Sequence, residues 1–290
     1  MRPIPSAVRV PSARVPGLWQ PEHPVFWVML VGLLVCAPLQ LLAFAAQGPS
    51  AVSMGVAGLT AAVQFAALWL VARAVSRGRR RPIALRLVAL AWGLTVVPVV
   101  AVLANSHYFA ALRSLGLHSL AASIAAPLDE DLLRAVGVLG VLLLASRGRI
   151  TALDGVVYGV LVGAGFEVAE NLIYLLDAHD LDEVVRTSLI RSGIGFGLHA
   201  LWTGIAGAAL AACLARYRAG RPPRWWLILP AILGPMMLHA IWDAPALSVD
   251  PRAKAGVLIA VYAVTLAGFI AVVVLARRRE AAVASPAAAA

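Results

Sequence analysis

The sequence predicts an all-α membrane protein, a polytopic bundle of about eight transmembrane helices. Of its 290 residues, 61% are hydrophobic and only 13% are charged, which leaves too little polar surface for a water-soluble domain. Its apolar segments reach the length of about 20 residues that a helix needs to cross the hydrocarbon of a bilayer. None of them alternates polar and apolar residues as the strands of a membrane barrel do.

Eight apolar segments define the predicted spans. They cover residues 25–46, 50–72, 87–105, 119–145, 152–177, 189–213, 226–247 and 255–276. Because the connections between them are short, residues 25–276 are predicted to form a single transmembrane bundle. An amino-terminal arm (1–24) precedes this bundle, and an Ala-rich tail (277–290), predicted to be disordered, follows it.

The net charge of +10 indicates membrane orientation and does not require nucleic acid as a partner. Of the 24 Lys and Arg residues, 18 fall in alternate connections and near the termini, which is the positive-inside pattern of membrane proteins. This pattern predicts that the arm and the tail are both cytoplasmic. The basic loops are expected to contact the anionic headgroups of the lipid bilayer.

Predicted spans four to seven carry ionisable residues at similar depth. These residues are Asp129, Glu130, Asp131 and Arg134, then Glu167 and Glu170, then His199, and finally His239 and Asp243. A charge at the centre of a membrane helix costs about 2.5 to 3.5 kcal/mol, so a chain keeps such residues where they serve a function. At about 1.5 Å of rise per residue, their depths agree to within roughly 10 Å. Spans four to seven, residues 119–247, are therefore predicted to enclose one polar chamber.

Local spacing suggests partners for several of these side chains. Glu130 and Arg134 are four residues apart on one helix face, which predicts an ion pair between them. Asp243 follows His239 by one turn and is expected to orient its imidazole, and Thr203 stands in the same relation to His199. Glu167 has Arg134 or Arg191 as its candidate partner.

Three glycines four residues apart mark the fifth span as a site of close helix packing. Gly155, Gly159 and Gly163 form a ridge without side chains, which lets a neighbouring backbone approach. The same ridge continues into Glu167 and Asn171. A tightly packed helix is thus predicted to present polar side chains at its point of contact.

Acids and imidazoles in such a chamber allow several chemistries. A glutamate can take a proton from water while a histidine protonates the leaving group, which hydrolyses a peptide without a metal. Alternatively, Glu170, His199 and His239 can hold zinc with an open position, with Glu130 as the base. The chain has no His-Glu-x-x-His helix to favour the metal. A proton-coupled transporter is a further alternative, because transporters use the same residue types as proton relays.

The order of the polar motifs resembles that of the PrsW family of bacterial intramembrane proteases, which is related to the glutamate-dependent CAAX-processing proteases. The motifs are Glu130-Asp131-x-x-Arg134, Asp154-Gly155-x-x-Tyr158-Gly159, Phe166-x-x-x-Glu170-Asn171-x-x-Tyr174, His199 with Trp202-Thr203, and Leu238-His239-x-x-Trp242. The family usually has Glu-Glu-x-x-Lys at the first motif, and the related proteases often have Asn where Asp243 stands. These departures leave a catalytically inactive relative that binds membrane partners as an alternative.

The resemblance implies a multi-pass peptidase of the bacterial cell membrane that cuts a membrane-anchored protein such as an anti-sigma factor. It implies catalytic roles for five residues, namely Glu130, Asp131, Glu170, His199 and His239. Supporting roles are expected for Arg134, Glu167, Asn171, Thr203 and Asp243. The cofactor is either zinc or none, and the catalytic core spans about residues 119–247.

Overall fold

All regular structure is helical in the computed structural model, which describes residues 18–48, 50–76, 81–145, 150–178, 180–244 and 251–284. The α-helices are α1 (Pro24–Ala46), α2 (Ala51–Val75), α3 (Ile83–Ala91), α4 (Val97–Ser114), α5 (Ala121–Leu144), α6 (Ala152–Leu176), α7 (Leu181–Gly193), α8 (Leu198–Arg218), α9 (Ile228–Trp242) and α10 (Pro251–Ala284). A π-helical turn (Trp92–Val96) joins α3 to α4, and single 3-10 turns (His118–Leu120 and Trp225–Leu227) precede α5 and α9.

Seven helical segments of the described chain are long and apolar enough to cross a membrane. They are Pro24–Ala46, Ala51–Val75, Ile83–Ser114, Ala152–Leu176, Leu181–Arg218, Trp225–Trp242 and Arg252–Ala282. The remaining predicted span, the fourth (119–145), corresponds to α5, which has 24 residues but carries four charged side chains between positions 129 and 134. Composition and not length therefore distinguishes α5 from the others. The predicted all-α polytopic bundle is confirmed.

The central helix is α6, whose residues are almost all buried, whereas most residues of α1, α2 and α10 are not buried. Its glycine ridge faces α8, as the sequence predicted a close neighbour. A Cβ atom added to Gly155, Gly159 or Gly163 would overlap a backbone carbonyl oxygen of α8. The carbonyl opposite Gly163 belongs to His199, so this contact fixes the start of α8 beside the middle of α6.

The predicted sixth span, 189–213, is not one continuous helix. Helix α7 ends at Gly193 and α8 begins at Leu198. Between them Gly195 and Gly197 have φ angles of +84° and +85°, which interrupt a right-handed helix and which only glycine adopts readily. His199 consequently lies in the first turn of α8 and not near the middle of one continuous helix over 189–213.

One end of the bundle gathers several of the basic residues. The Arg81 guanidinium forms a buried ion pair with Asp154 at 2.6 Å, where α6 begins. Arg277 near the end of α10 donates a hydrogen bond to the carbonyl of Ala74 at the end of α2. Helix α10 continues to Ala284, so residues 277–284 of the predicted disordered tail are helical. Residues 1–17 of the predicted arm and 285–290 of the tail lie outside the described residues.

Candidate active site

Three ionisable side chains from three helices converge between α5, α8 and α9. Glu130 of α5, His199 of α8 and His239 of α9 each contribute one nitrogen or oxygen atom, and these atoms lie within 4.8 Å of one another. The two imidazole rings are 5.2 Å apart between centroids. Glu130 and His239 are buried and His199 is nearly so. We call these residues the Glu–His–His cluster.

Trp202 holds the His239 ring in place. Its indole stacks on that imidazole with 5.1 Å between centroids and 29° between the planes. The indole nitrogen donates a hydrogen bond of 2.9 Å to the Thr265 hydroxyl on α10. Trp202 lies one turn after His199 on α8. This one helix therefore supplies His199 to the cluster and also supports the ring of His239.

Asp131 contacts the His239 ring at its edge, at Nδ1. One carboxylate oxygen lies 3.2 Å from Nδ1 of His239, and the other forms an ion pair with Arg134. Nε2 of His239 is then directed toward Glu130 at 3.9 Å and toward Asp243 at 3.3 Å. The expected contact between Asp243 and His239 is thus present. A carboxylate on one ring nitrogen fixes the orientation of an imidazole and the role of its second nitrogen.

The guanidinium of Arg134 is fully buried and packs over the Phe166 ring, with 4.7 Å from Cζ to the ring centroid. The sequence predicted Glu130 as its ion-pair partner, but the ion pair is made with Asp131. Both spacings, i to i+3 and i to i+4, bring side chains to one helix face. Glu130 is instead directed toward the imidazoles, and its Oε2 has no hydrogen-bond partner among the described residues.

Glu170 lies at the edge of the cluster and not within it. Its Oε2 accepts a hydrogen bond of 2.6 Å from Arg191 and lies 3.7 Å from Nδ1 of His199. Arg191 packs over the Tyr174 ring at 4.3 Å. A cavity of about 30 Å³, which also reaches Trp242, is lined by both Glu170 and His199. The structure therefore groups Glu130, and not Glu170, with the two histidines.

Asn171 connects this edge of the site to α2. Its side-chain oxygen accepts a hydrogen bond of 2.5 Å from Arg191, and its amide donates one of 2.9 Å to Gln64. Gln64 in turn donates to the Ser192 hydroxyl at 3.0 Å. Sequence reasoning missed Gln64, although a lone amide in an otherwise apolar span was a usable signal.

Two of the expected supporting residues bind backbone atoms. Glu167 accepts a 2.5 Å hydrogen bond from the N–H of Gly197, just before α8, so neither Arg134 nor Arg191 is its ion-pair partner. The Thr203 hydroxyl donates to the carbonyl of His199 at 2.7 Å. Thr203 therefore does not orient the imidazole as predicted. Both residues instead stabilise the first turn of α8.

Asp129, the first acid of the triplet, is buried beside the cluster. It is 6% exposed, and neither carboxylate oxygen has a hydrogen-bond partner within the described ranges.

A glutamate and two histidines brought together by three helices supply the residue types with which a peptidase embedded in the membrane can activate water. A family model described as PrsW family intramembrane metalloprotease matches residues 81–276. Because the match covers more than half of the chain and every helix of the cluster, the chain belongs to this family. Neither curated proteins nor solved structures give a significant match.

Family membership confirms the resemblance seen in the motifs and the enzyme class predicted from it. The chain is a multi-pass membrane protein and a peptidase whose substrate is a protein in the lipid bilayer.

Proposed function

We propose that this peptidase binds a catalytic Zn²⁺ at the Glu–His–His cluster and hydrolyses a peptide bond of a membrane-anchored protein. The observation that carries the proposal is the convergence of three ligand atoms within 4.8 Å from three different helices. Catalytic zinc sites typically use three protein ligands of these types and leave one position open.

The surroundings of the cluster fit a metal. Oε2 of Glu130 is buried without a hydrogen-bond partner in the described chain, and such atoms commonly receive an ion or a water. Nδ1 of His239 faces Asp131 while its Nε2 faces Glu130. A carboxylate on the outer nitrogen of a metal-binding histidine is the usual arrangement in such sites, because it fixes the ring and makes it a better ligand.

When bound, the metal supplies a Lewis acid that stabilises negative charge on the scissile carbonyl oxygen. Glu170 takes the proton from the attacking water and passes it to the leaving amide nitrogen. The cavity beside Glu170, of about 30 Å³, has room for one water. Arg191 holds the Glu170 carboxylate in place at 2.6 Å. The roles of Glu130 and Glu170 are thereby exchanged relative to the zinc alternative from sequence, because one atom of Glu130 lies within 4.8 Å of ligand atoms of both histidines, whereas Glu170 is held by Arg191 and contacts His199.

We further propose that the protein resides in the cell membrane of a bacterium with both termini in the cytoplasm. The positive-inside pattern supports this orientation. Arg81 and Arg277 mark the predicted cytoplasmic end, whereas the Glu–His–His cluster lies toward the opposite ends of α6 and α9. Cleavage would then occur in the extracytoplasmic half of the bilayer. The resemblance favours a membrane-anchored regulator such as an anti-sigma factor as the substrate.

The test compares two isosteric variants of the purified protein. Glu130→Gln should lose both the metal and cleavage of a co-expressed single-span regulator. Glu170→Gln should keep one Zn²⁺ per chain, measured by elemental analysis, and lose only cleavage. Zinc-free protein with full, chelator-resistant activity would refute the metal and support metal-free hydrolysis with Glu130 as the base.

A further inference from the structure

An apolar groove of about 420 Å³ opens beside the catalytic cavity. We call it the α10 groove. Its lining includes Ile194 and Gly195 of the α7–α8 connection, Trp242 at the end of α9, and Leu258, Ile259 and Ala263 of α10. No charged residue lines it among the described positions, and the Ile259 side chain is 69% exposed.

Trp242 separates the α10 groove from the catalytic cavity. Trp242, Ile194 and Gly195 line both spaces. The Trp242 ring packs directly against the backbone of Gly195, where an added Cβ atom would lie only 2.6 Å from Cζ2 of the indole. Because Trp242 lines both spaces, displacement of its ring would join them. Trp242 is also the last residue of α9.

The connection between α7 and α8 gives the groove a non-helical edge. Ile194 has an extended backbone, with φ −119° and ψ 119°. The Tyr262 hydroxyl donates a hydrogen bond to the carbonyl of Phe196 and so joins α10 to this connection. The extended backbone of the protease at Ile194 matters for the substrate. A peptide bond inside a substrate helix is shielded by the hydrogen bonds and side chains of that helix. A substrate segment must leave the helical conformation before it can reach catalytic side chains.

We propose that the α10 groove binds a large apolar side chain of an unwound membrane segment of the substrate, next to the bond to be cut, with Trp242 as the gate. This inference rests on the proposed function. The apolar lining selects the chemistry of the occupant, since a charged side chain would lose its hydration there without gaining a partner. Its continuity with the cavity that holds Glu170 and His199 places the occupant beside the reacting bond.

The first experiment detects the occupant directly. A photoreactive benzoylphenylalanine is placed at Ile259, within the groove, or at the exposed Val264 on another face of α10. The chain also carries Glu170→Gln to prevent turnover. The probe is a single-span reporter with a leucine-rich membrane segment, reconstituted with the protease in phosphatidylethanolamine and phosphatidylglycerol vesicles.

Cross-linking from position 259 but not from 264 is the expected result. Equal cross-linking from both positions, or none from 259, overturns the groove assignment. Cleavage of the same reporter by the unsubstituted chain is measured separately. Cross-linking at 259 without any cleavage would leave the groove standing and count against the proposed function.

The second experiment fills the groove. Ala263→Trp should lower kcat/KM for a reporter with leucine at the mapped cleavage position by about tenfold or more, and less for one with alanine there. Ala267→Trp, at an exposed alanine one turn further along α10, is the control and should leave both values unchanged. Equal losses for the two reporters would mean that Ala263→Trp perturbs α10 generally and would refute a side-chain pocket.

Discussion

Asp131 and His239 face each other across the interface of α5 and α9, with 3.2 Å between the carboxylate Oδ2 and Nδ1 of the imidazole. The other carboxylate oxygen of Asp131 is paired with the fully buried Arg134. One side chain therefore has two tasks, since it orients a histidine and neutralises a buried cation. The PrsW family usually has glutamate at this position, and the shorter aspartate of this chain reaches both partners.

Replacement of Asp131 should affect the metal and the fold to different degrees. Asp131→Asn keeps the shape but removes the charge, so we expect the affinity for Zn²⁺ to fall by about 10- to 100-fold. The unpaired Arg134 should also lower the free energy of unfolding by about 3 to 5 kcal/mol. Chelator competition and thermal unfolding in detergent measure the two effects.

The double variant Asp131→Asn with Arg134→Met separates these effects. It should recover much of the stability, because no buried charge is left without a partner, but none of the metal affinity. Recovery of both properties would show that Asp131 acts only through Arg134.

Contact between the α6 and α8 backbones should make the glycine ridge intolerant of even one methyl group. In Gly159→Ala the new Cβ overlaps the Thr203 carbonyl, so we expect a loss of about 1 to 3 kcal/mol and reduced cleavage. The matched control is Gly58→Ala in α2, where no atom lies within 4 Å of the added Cβ. Because alanine favours helix, the control should be neutral or more stable by up to about 1 kcal/mol. Similar melting temperatures for the two variants would contradict close packing.

Glu167 should prove to be structural rather than catalytic. Glu167→Gln keeps an oxygen that can accept the Gly197 N–H, and we expect nearly normal zinc content and activity. Glu167→Leu leaves that buried donor unpaired and should cost about 1 to 3 kcal/mol. Metal content and unfolding are measured for both variants. If the glutamine variant is inactive although folded and zinc-bound, Glu167 participates in the chemistry.

The hydrogen bond between Trp202 and Thr265, which supports the His239 ring, can be removed without changing a proposed metal-binding residue. Trp202→Phe retains an aromatic face for His239 but loses the 2.9 Å hydrogen bond to Thr265. We expect a loss of about 0.5 to 1.5 kcal/mol in stability and a modest fall in kcat. Thr265→Val removes the same bond from the other side without leaving a cavity, so adding it to Trp202→Phe should cost little further. Additive losses would indicate two independent roles.

The depth of the site in the membrane could be predicted from sequence. Which of its polar side chains contact one another could not. Span lengths and helical rise place Glu130 and His239 at one level, and the glycine ridge of α6 indicates a close neighbour. Which acid forms the ion pair with Arg134, however, depends on the rotation of α5 about its axis relative to α9. No local sequence pattern predicts that rotation angle. The same holds for Gln64 and Thr265, whose partners come from distant helices. The interruption before His199 was visible as three glycines at 193, 195 and 197, but the apolar character of the segment concealed it.

The charges of α5 also bear on how the protein is assembled in the membrane. Three acids and an arginine make this helix costly to release alone into lipid, and within α5 itself Arg134 compensates only Asp131. The two imidazoles beside the acids of α5 belong to α8 and α9, which are synthesised after it. Stable insertion of α5 therefore depends on later parts of the chain. Biogenesis is in this way coupled to completion of the site, and a truncated product would not leave an assembled protease in the bilayer.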